Sequence, residues 1–347
     1  MNNMLARIVS RFHSSLFLLS AALLSTSHTQ AGDYAQRPDV QAFADEMQSR
    51  YQFKKADVLA VLSKAEKKQA ILDAIARPAE KAKPWKDYRK IFLTGARIEN
   101  GADFWLTHEQ ILQEVSNTYR VEPEMIVAII GIETSYGKNT GSYRVIDALS
   151  TLAFDYPPRS PFFRKELQNF FLLAREQKKD PLALTGSYAG AMGYGQFMPS
   201  SYRNYAADYD KDGFADIWSN TRDAIASVAN YFKQHGWQTG EPVLVRANTI
   251  ASVDPSLLAN TTGFKPQLSL EDIALRGASP VVGGLGNDRK AVLISQEGDY
   301  GTEYWLGFNN FYTITRYNNS SMYAMAAFQL ADAIKAEYQQ RKKLASH

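Results

Sequence analysis

Residues 125–141, which read MIVAIIGIETSYGKNTG, constrain the fold of this chain more than any other stretch. Seven apolar residues and a glycine lead into Glu133, and glycines follow at Gly137 and Gly141. Pro123 suits the first turn of a helix, where its missing N–H would have no partner in any case. The pattern predicts a short buried helix that ends near Glu133, followed by a loop built on the two glycines.

Glu133 is the carboxylate that this arrangement singles out. Apolar neighbours would remove water from it, and the C-terminus of a helix carries partial negative charge. Both effects favour the protonated carboxyl, which is the form that a general acid needs near neutral pH. The alternative is an ordinary surface glutamate at a helix end. The residues that follow along the chain favour the acid.

Length and composition are those of a soluble globular protein with room for two or three domains. The chain has 347 residues, of which 45% are hydrophobic and 22% charged, and its net charge is +3. This mild charge does not favour a nucleic-acid partner, although it is compatible with an anionic polymer as substrate. Aromatic residues reach 12%, with 19 tyrosines. Tyrosine-rich clefts often bind sugars, but a tyrosine-rich core would give the same composition.

Residues 1–31 are predicted to be a secretory signal peptide. Arg7 and Arg11 precede an apolar run of nine residues at 16–24, and residues 29–31 resemble a cleavage site. The run is too short to span a bilayer comfortably. The chain contains no cysteine, so we expect neither disulfides nor a lipid-modified cysteine at the signal junction. These features predict a protein exported to an oxidising compartment such as the bacterial periplasm, either soluble or held by an uncleaved signal.

Residues 184–205, which read LTGSYAGAMGYGQFMPSSYRNY, form what we term the glycine-rich segment. Its four glycines and two alanines within ten residues would let the backbone approach another group closely. Polar and aromatic side chains alternate with them, at Ser187, Tyr188, Tyr194, Gln196 and Met198. Such a surface suits a polysaccharide, whose hydroxyl and acetamido groups need fixed donors. The alternative is a flexible linker, although linkers rarely carry so many large side chains.

Residues 208–216, which read DYDKDGFAD, match the ligand pattern of an EF-hand calcium loop. Oxygen-bearing side chains fall at loop positions 1, 3, 5 and 9, glycine falls at position 6, and position 7 can offer its backbone carbonyl. Position 12, where a bidentate glutamate is usual, is Ser219, so we expect Asp223 to close the site instead. The pattern predicts a weak structural calcium site. The alternative is an acidic turn without metal.

Periodicity elsewhere predicts helices on both sides of a small β-rich insertion. Residues 36–120 carry apolar residues at helical spacing, and Thr107 with Gln110 resembles a capping box that begins a further helix. Residues 241–301 hold short apolar runs, among them 273–275, separated by Gly, Pro, Asn and Asp. A final helix is predicted over residues 321–338. The chain is therefore predicted to be mainly α-helical, of the α+β class.

Four motifs taken together resemble one enzyme family. They are GIETSYG around Glu133, SYAGAMGYGQFMPSSY in the glycine-rich segment, the DxDxDG loop, and FYTITRYN at residues 311–318. The ordered set resembles the lytic murein transglycosylase B family, a branch of the bacterial enzymes that cleave peptidoglycan. The resemblance covers residues 85–338.

The resemblance implies a lysozyme-like core with an N-terminal all-helical domain and a small β domain. On this basis we expect a signal peptide at residues 1–31 and a helical domain at residues 32–120. The catalytic core, with its EF-hand-like loop, would comprise residues 121–240 and 302–342. The small β domain would comprise residues 241–301.

The resemblance also implies a reaction. The family cleaves the β-1,4 bond between N-acetylmuramic acid (MurNAc) and N-acetylglucosamine (GlcNAc) without water. The 6-hydroxyl of the muramic acid attacks its own C1 and leaves a 1,6-anhydro end. Glu133 would protonate the glycosidic oxygen as the acid and then, as the base, take the proton of the 6-hydroxyl. This fits a sequence in which one desolvated carboxylate stands out, whereas glycosidases usually need a pair.

Further residues are assigned by the same resemblance. Positions that match glycan-binding positions of the family are Ser187, Gln196, Asn318, Arg159, Tyr231, Tyr317, Tyr323 and Tyr88. Those that match its calcium loop are Asp208, Asp210, Asp212, the carbonyl of Phe214, and Asp223. No organic cofactor is implied. Close relatives carry two adjacent arginines where this chain has Pro158 and Arg159, so the resemblance leaves one contact to the glycan or its peptide open.

Two alternatives stay open at this point. A muramidase that uses water would need a second carboxylate across the cleft, and Asp155 and Glu166 are candidates for it. A catalytically silent protein that only binds glycan or calcium would need no acid at all. The expected partner is the glycan strand of peptidoglycan and not a nucleic acid. We expect a monomer, and complexes with other cell-wall enzymes stay open.

Overall fold

The computed structural model describes residues 34–76, 83–250, 253–259 and 263–346. The predicted signal peptide lies outside these residues. Most of the described chain is helical. The helices are α1 (Pro38–Tyr51), α2 (Lys55–Leu62), α3 (Gln69–Ile75), α4 (Trp85–Phe92), α5 (Gly95–Thr107), α6 (Glu109–Tyr119), α7 (Pro123–Thr134), α8 (Val145–Asp155), α9 (Ser160–Glu176), α10 (Pro199–Tyr205), α11 (Thr221–Gln234), α12 (Leu270–Leu275), α13 (Asn309–Tyr317) and α14 (Ser321–Ala345).

The helical prediction for the N-terminal part of the chain is confirmed, but its capping box is wrong. Thr107 is the last residue of α5, and its hydroxyl donates to the carbonyl of Asp103 at 2.8 Å. The N-cap of α6 is His108, which makes no side-chain capping bond. The threonine hydroxyl is thus satisfied by the preceding turn of its own helix, an alternative that threonine side chains commonly adopt.

The β-rich insertion is confirmed as an antiparallel sheet with five strands among the described residues. The strands of the chain are β1 (Tyr143–Arg144), β2 (Thr185–Gly186), β3 (Leu244–Thr249), β4 (Leu268–Ser269), β5 (Ala278–Pro280), β6 (Lys290–Gly298) and β7 (Gly301–Gly307). The sheet order is β4-β6-β7-β3-β5, and β1 pairs with β2 alone. Residues 273–275, predicted as a strand, belong to α12 instead, because Ser269 and Asp272 form a reciprocal capping box that begins a helix.

Two large hydrophobic cores meet at the glycine-rich segment. The first contains α4 to α7, α11, α13 and α14, and the second contains α1 to α3, α8 and α9. Tyr194 packs against the first core, Met192 and Phe197 belong to the second, and Tyr317 contacts both. The large side chains of the segment therefore pack on both cores. The domain boundaries expected from the sequence stay a prediction.

The helix α7 runs through the first core. Its residues from Met125 to Gly131 are all buried, as a helix with apolar side chains on every face requires. Burial of each large aliphatic side chain contributes about 1.5–3 kcal/mol. Glu133 is half-buried. The helix thus holds this carboxylate at the point where the chain leaves the core.

The C-terminal helix α14 packs on both α5 and α7. It has 25 residues and continues past the predicted end at residue 338. Its buried side chains lie between Tyr323 and Ile334, and its last turn carries Lys342 and Lys343. Within the described ranges, no helix is both long enough and apolar enough to cross a membrane.

Candidate active site

The helix α7 ends in a left-handed turn directly after Glu133 and Thr134. Ser135, Tyr136 and Gly137 have φ values of 51°, 63° and 85°. A left-handed backbone is unfavourable for residues other than glycine, so two such residues in a row need support from their neighbours. Part of that support is a hydrogen bond of 3.0 Å, in which the Thr134 hydroxyl oxygen accepts the Gly137 amide.

The ring of Tyr136 locks this turn onto two helices. Its hydroxyl donates to the carbonyl of Arg97 at 2.6 Å. A Cβ atom at either Gly101 of α5 or Gly131 of α7 would lie 2.6 Å from the tyrosine oxygen, so only glycine leaves room for the ring. Burial raises the pKa of Tyr136, which keeps the hydroxyl a donor.

Glu133 accepts a short hydrogen bond from Tyr323, whose hydroxyl oxygen lies 2.5 Å from Oε1 of the carboxylate. Tyr323 lies in the first turn of α14 and is only 3% exposed. Burial, and next the negative charge of Glu133, raise the pKa of Tyr323 well above its ordinary value. The hydroxyl therefore stays protonated. The short hydrogen bond from this buried, protonated hydroxyl fixes the orientation of the Glu133 carboxyl group.

The glycine-rich segment packs directly on the turn that follows the acid. The Thr134 hydroxyl donates to the carbonyl of Tyr194 at 3.0 Å. A Cβ at Gly137 would lie 2.3 Å from the Tyr194 ring, and a Cβ at Gly141 would lie 2.1 Å from the carbonyl oxygen of Gly186. Such close approach requires glycine. The structure thus brings together the two stretches that the sequence singled out.

Ser187 and Gln196 are both half-buried in the glycine-rich segment. The Ser187 hydroxyl oxygen accepts the amide of Ala191 at 3.1 Å. The Gln196 side-chain amide donates to the carbonyl of Thr140 at 3.1 Å. A serine hydroxyl can also donate, and a glutamine carbonyl can accept. Each side chain is thus fixed by backbone and keeps one polar function that can serve a ligand.

Two of the tyrosines expected in the cleft have hydroxyls that bond to backbone. The Tyr317 hydroxyl donates to the carbonyl of Gly195 at 2.5 Å, and the Tyr231 hydroxyl donates to the carbonyl of Arg316 at 2.5 Å. Their rings meet edge to face with centroids 4.6 Å apart. Burial, and next the charge of Glu133, raise the pKa of Tyr317 well above its ordinary value. These two side chains therefore support the segment with hydroxyls that are already engaged.

The remaining predicted glycan contacts lie in three different places. Tyr88 is buried in α4, and its proximity adds to the raised pKa of Tyr323. Asn318 is exposed and directly follows α13. Arg159 is exposed in a single 3₁₀ turn, and its guanidinium lies 4.5 Å from the centre of the Phe162 ring.

The two candidates for a second catalytic carboxylate both have structural partners. Asp155 lies 2.8 Å from the guanidinium of Arg37 and 2.9 Å from the hydroxyl of Tyr34. Burial raises the pKa of Asp155, but these hydrogen bonds outweigh burial and leave that pKa lowered. Glu166 accepts both the amide and the hydroxyl of Ser200, at 2.9 and 2.7 Å. Burial raises the pKa of Glu166. One carboxylate thus fastens the N-terminal segment, and the other binds the first turn of α10.

Three aspartates converge in the loop after the glycine-rich segment. Asp208, Asp210 and Asp212 each place a carboxylate oxygen within 4.8 Å of the other two. A set of hard oxygen donors of this kind fits calcium. Asp223 is fully buried, and its two carboxylate oxygens each accept a backbone amide of the loop at 2.8 Å. Each oxygen has a second lone pair, so Asp223 braces the loop and retains acceptor capacity.

Comparison with known proteins shows the family of this chain. The family described as "Transglycosylase SLT domain" matches residues 35–332. A curated relative, membrane-bound lytic murein transglycosylase B of Escherichia coli (strain K12), is 43% identical over 324 residues, which cover 90% of this chain and 88% of the relative. This chain belongs to the transglycosylase SLT domain family.

Solved structures of other lytic transglycosylases share the fold of this transglycosylase. Soluble SltB1 from Pseudomonas aeruginosa is 53% identical, with a TM-score of 0.81 over 86% of this chain and 99% of that chain. Slt35 from Escherichia coli, solved in complex with calcium, is 43% identical, with a TM-score of 0.80 over 89% of this chain and 96% of that chain. The predicted family and the mainly helical, lysozyme-like fold are confirmed. The protein is a peptidoglycan lytic transglycosylase.

Sequence reasoning missed two residues that shape the site of this transglycosylase. Thr134 joins the end of α7 to the glycine-rich segment, and Tyr136 locks the turn between them. A signal for Tyr136 was present in the two glycines inside α5 and α7, because glycine is unfavourable within a helix unless something packs against it. No comparable signal marked Thr134.

Proposed function

We propose that Glu133 is first the acid and then the base in a non-hydrolytic cleavage of the MurNAc–GlcNAc bond. The observation that carries this proposal is the placement of one half-buried carboxylate at the end of α7. Tyr323 orients it at 2.5 Å, and the glycine-rich segment packs on the residues that follow it. A general acid must be held in a fixed geometry against the atom that it protonates.

The proposed reaction has two steps. In the first, Glu133 donates its proton to the glycosidic oxygen, and the bond from that oxygen to C1 breaks with both electrons going to the departing GlcNAc. Positive charge then develops at C1 of the muramic acid. In the second, the 6-hydroxyl oxygen of the same sugar bonds to C1, and its proton passes to the Glu133 carboxylate. The acid is restored, and no water is consumed.

The glycine-rich segment supplies the fixed donors and acceptors that this reaction needs on the sugar. The Ser187 hydroxyl and the Gln196 carbonyl match the hydroxyl and acetamido groups of a glycan, and exposed Asn318 lies next to Tyr317 in the chain. The substrate is the glycan strand of peptidoglycan. Because its own 6-hydroxyl attacks C1, the reaction needs no second catalytic carboxylate.

Mass spectrometry of fragments released from purified peptidoglycan tests the proposed reaction. Muramic acid ends in the 1,6-anhydro form are lighter by one water than hydrolysed ends. We expect the lighter mass. The engagement of Asp155 by Arg37 and of Glu166 by Ser200 supports this expectation over the water-using alternative. Fragments that carry only hydrolysed ends would contradict the proposal.

We expect Tyr323→Phe to lower kcat by roughly fivefold, because a hydrogen bond contributes about 1 kcal/mol. The substitution keeps the buried ring and removes only the hydroxyl that orients Glu133. Initial rates of fragment release measure the effect. The matched control is Tyr338→Phe, which loses a surface hydrogen bond of 2.6 Å to Glu109 and should leave kcat unchanged. An unaltered kcat in Tyr323→Phe would contradict the orienting role.

We also propose that residues 208–216, which we term the three-aspartate loop, hold a structural calcium ion. The proposed ligands are Asp208, Asp210, Asp212, the carbonyl of Phe214, and Asp223. The convergence of three carboxylate oxygens supports this, and the related Slt35 is known in complex with calcium. The ion would neutralise the mutual repulsion of these carboxylates and would brace the loop.

Calcium should raise the melting temperature of metal-stripped protein by roughly 5 °C when its concentration is about 100 times Kd, because it binds the folded state selectively. Differential scanning calorimetry with and without a chelator measures the shift. A variant carrying both Asp208→Asn and Asp212→Asn is the control, and it should not respond. A wild-type melting temperature that calcium leaves unchanged would contradict metal binding at this loop.

We further propose that the protein works in the periplasm, where peptidoglycan is found. The predicted signal peptide at residues 1–31 supports this location. Cell fractionation tests it, since the full chain should be recovered with periplasmic markers. Recovery with cytoplasmic markers would contradict it.

A further inference from the structure

Residues 215–218, which lead from the three-aspartate loop towards α11, are hydrogen-bonded to the glycine-rich segment near its start and at its middle. The indole Nε1 of Trp218 donates to the carbonyl of Thr185 at 2.8 Å, in the part that contains β2. The carbonyl of Ile217 accepts the amide of Tyr194 at 2.9 Å, in the part that contacts α7. The proposed chemistry uses neither of these bonds.

Close backbone contacts leave little room for the segment to move against residues 215–218. Gly193 has a φ of 65°, and a Cβ there would lie 2.4 Å from the carbonyl oxygen of Ile217. A Cβ at Gly186 would lie 2.3 Å from the carbonyl oxygen of Ala191, and Gly186 in turn touches Gly141 in the loop after α7. A shift of β2 would therefore reach both the inside of the segment and the loop that follows the acid.

The side chain of Trp218 is also held by two aromatic rings that lie outside β2. Its ring stacks on Phe214 at an interplanar angle of 15°, and its centroid lies 5.6 Å from that of Tyr202. Tyr202 is itself buried, and its hydroxyl donates to the carbonyl of Ala215 at 2.8 Å. These contacts set the position of the indole independently of its bond to Thr185. The indole therefore has a fixed position, and its hydrogen bond to Thr185 holds β2 in place.

We infer that Trp218 is a positioning residue for glycan binding. By holding the Thr185 carbonyl, it fixes β2 and with it the neighbouring Ser187, whose hydroxyl is proposed to contact the sugar. Ile217 fixes the middle of the segment through Tyr194. The inference rests on the proposed role of the glycine-rich segment in binding the glycan. Trp218 itself touches neither the glycan nor Glu133 in this scheme.

The test is Trp218→Phe, which keeps an aromatic ring against Tyr202 and removes the indole N–H. We expect KM for solubilised glycan strands to rise roughly fivefold, as the loss of one hydrogen bond implies, with kcat within about twofold of wild type. The matched control is Trp237→Phe, which loses an indole hydrogen bond of 2.6 Å to Glu122, outside the glycine-rich segment. It should leave KM unchanged. Amide hydrogen exchange should be faster for residues 185–196 in Trp218→Phe only.

A wild-type KM in Trp218→Phe, or an equal rise of KM in both variants, would overturn the inference. A measurement on the wild-type protein avoids any folding defect of the variant. The NMR signal of the Trp218 indole N–H should shift when tetra-N-acetylchitotetraose is added, and an unchanged signal under saturating sugar would also overturn the inference. Release of hydrolysed ends by wild type would contradict the proposed reaction instead, and the comparison of KM values would still stand.

Discussion

Replacing Glu133 with Gln is expected to lower the rate of glycan cleavage by a factor on the order of 10³, within the range that a positioned acid and base contributes. The amide is isosteric and still accepts the hydrogen bond from Tyr323, but it cannot donate a proton to the glycosidic oxygen. Loss of sacculus turbidity measures the rate. Because the side chain is half-buried at a helix end, the folded structure should be unchanged by circular dichroism.

The control for this variant is Glu124→Gln at the opposite end of the same helix. Glu124 forms an ion pair of 2.7 Å with Lys335, with side-chain exposures of 13% and 47% respectively, and glutamine keeps a hydrogen-bond acceptor for the lysine. Activity should therefore match that of wild type. If Glu133→Gln digested sacculi at the wild-type rate, the assignment of the acid would be wrong. The alternative of a protein that only binds glycan or calcium predicts no turbidity loss even with wild type.

Replacing Gly141 with Ala is expected to destabilise the folded protein by roughly 3 kcal/mol or more, which combines left-handed strain with overpacking. Gly141 has a φ of 93°, and a Cβ there would lie 2.1 Å from the carbonyl oxygen of Gly186. The obstacle is backbone, so no side-chain rotation relieves it. Either the loop after α7 or β2 must move. Urea denaturation measures the lost stability, and the surviving folded protein should also cleave glycan more slowly.

Gly236→Ala is the matched control for that experiment. Gly236 has a φ of 85°, but a Cβ there would meet nothing within 4 Å. The Gly236→Ala substitution should lower the free energy of unfolding only by the strain of a left-handed alanine, about 1–2 kcal/mol. The difference between the two variants therefore isolates the clash with Gly186. Equal destabilisation by the two substitutions would show that the glycine-rich segment does not press on the loop after the acid.

The parts of the site that sequence could predict are those encoded by local patterns. A run of apolar residues before Glu133 predicted a buried helix, and α7 ends one residue later, at Thr134. The density of small residues around Gly186 predicted close backbone contact, which the structure places against Gly141. The alternation of aspartates predicted a convergent loop. Each pattern lies within some twenty residues of chain, where spacing and backbone preference decide the structure.

The parts that sequence could not predict depend on contacts between distant residues. Tyr323 and Glu133 are 190 positions apart, and nothing near either residue indicates their bond. Tyr231 and Tyr317 matched glycan contacts by family resemblance, yet their hydroxyls bond to backbone. Asp155 could be listed as a second acid only because its partner Arg37, 118 positions away, was unknown. A hydroxyl or carboxylate has many possible partners, and tertiary packing selects among them.

The most direct test of the central claim is digestion of purified peptidoglycan in water enriched in heavy oxygen, with mass spectrometry of the new muramic acid ends. If the 6-hydroxyl of the sugar attacks C1 under control of Glu133, the ends have the 1,6-anhydro mass and carry no heavy oxygen. Ends that retain the mass of one added water and incorporate the heavy oxygen would contradict the account.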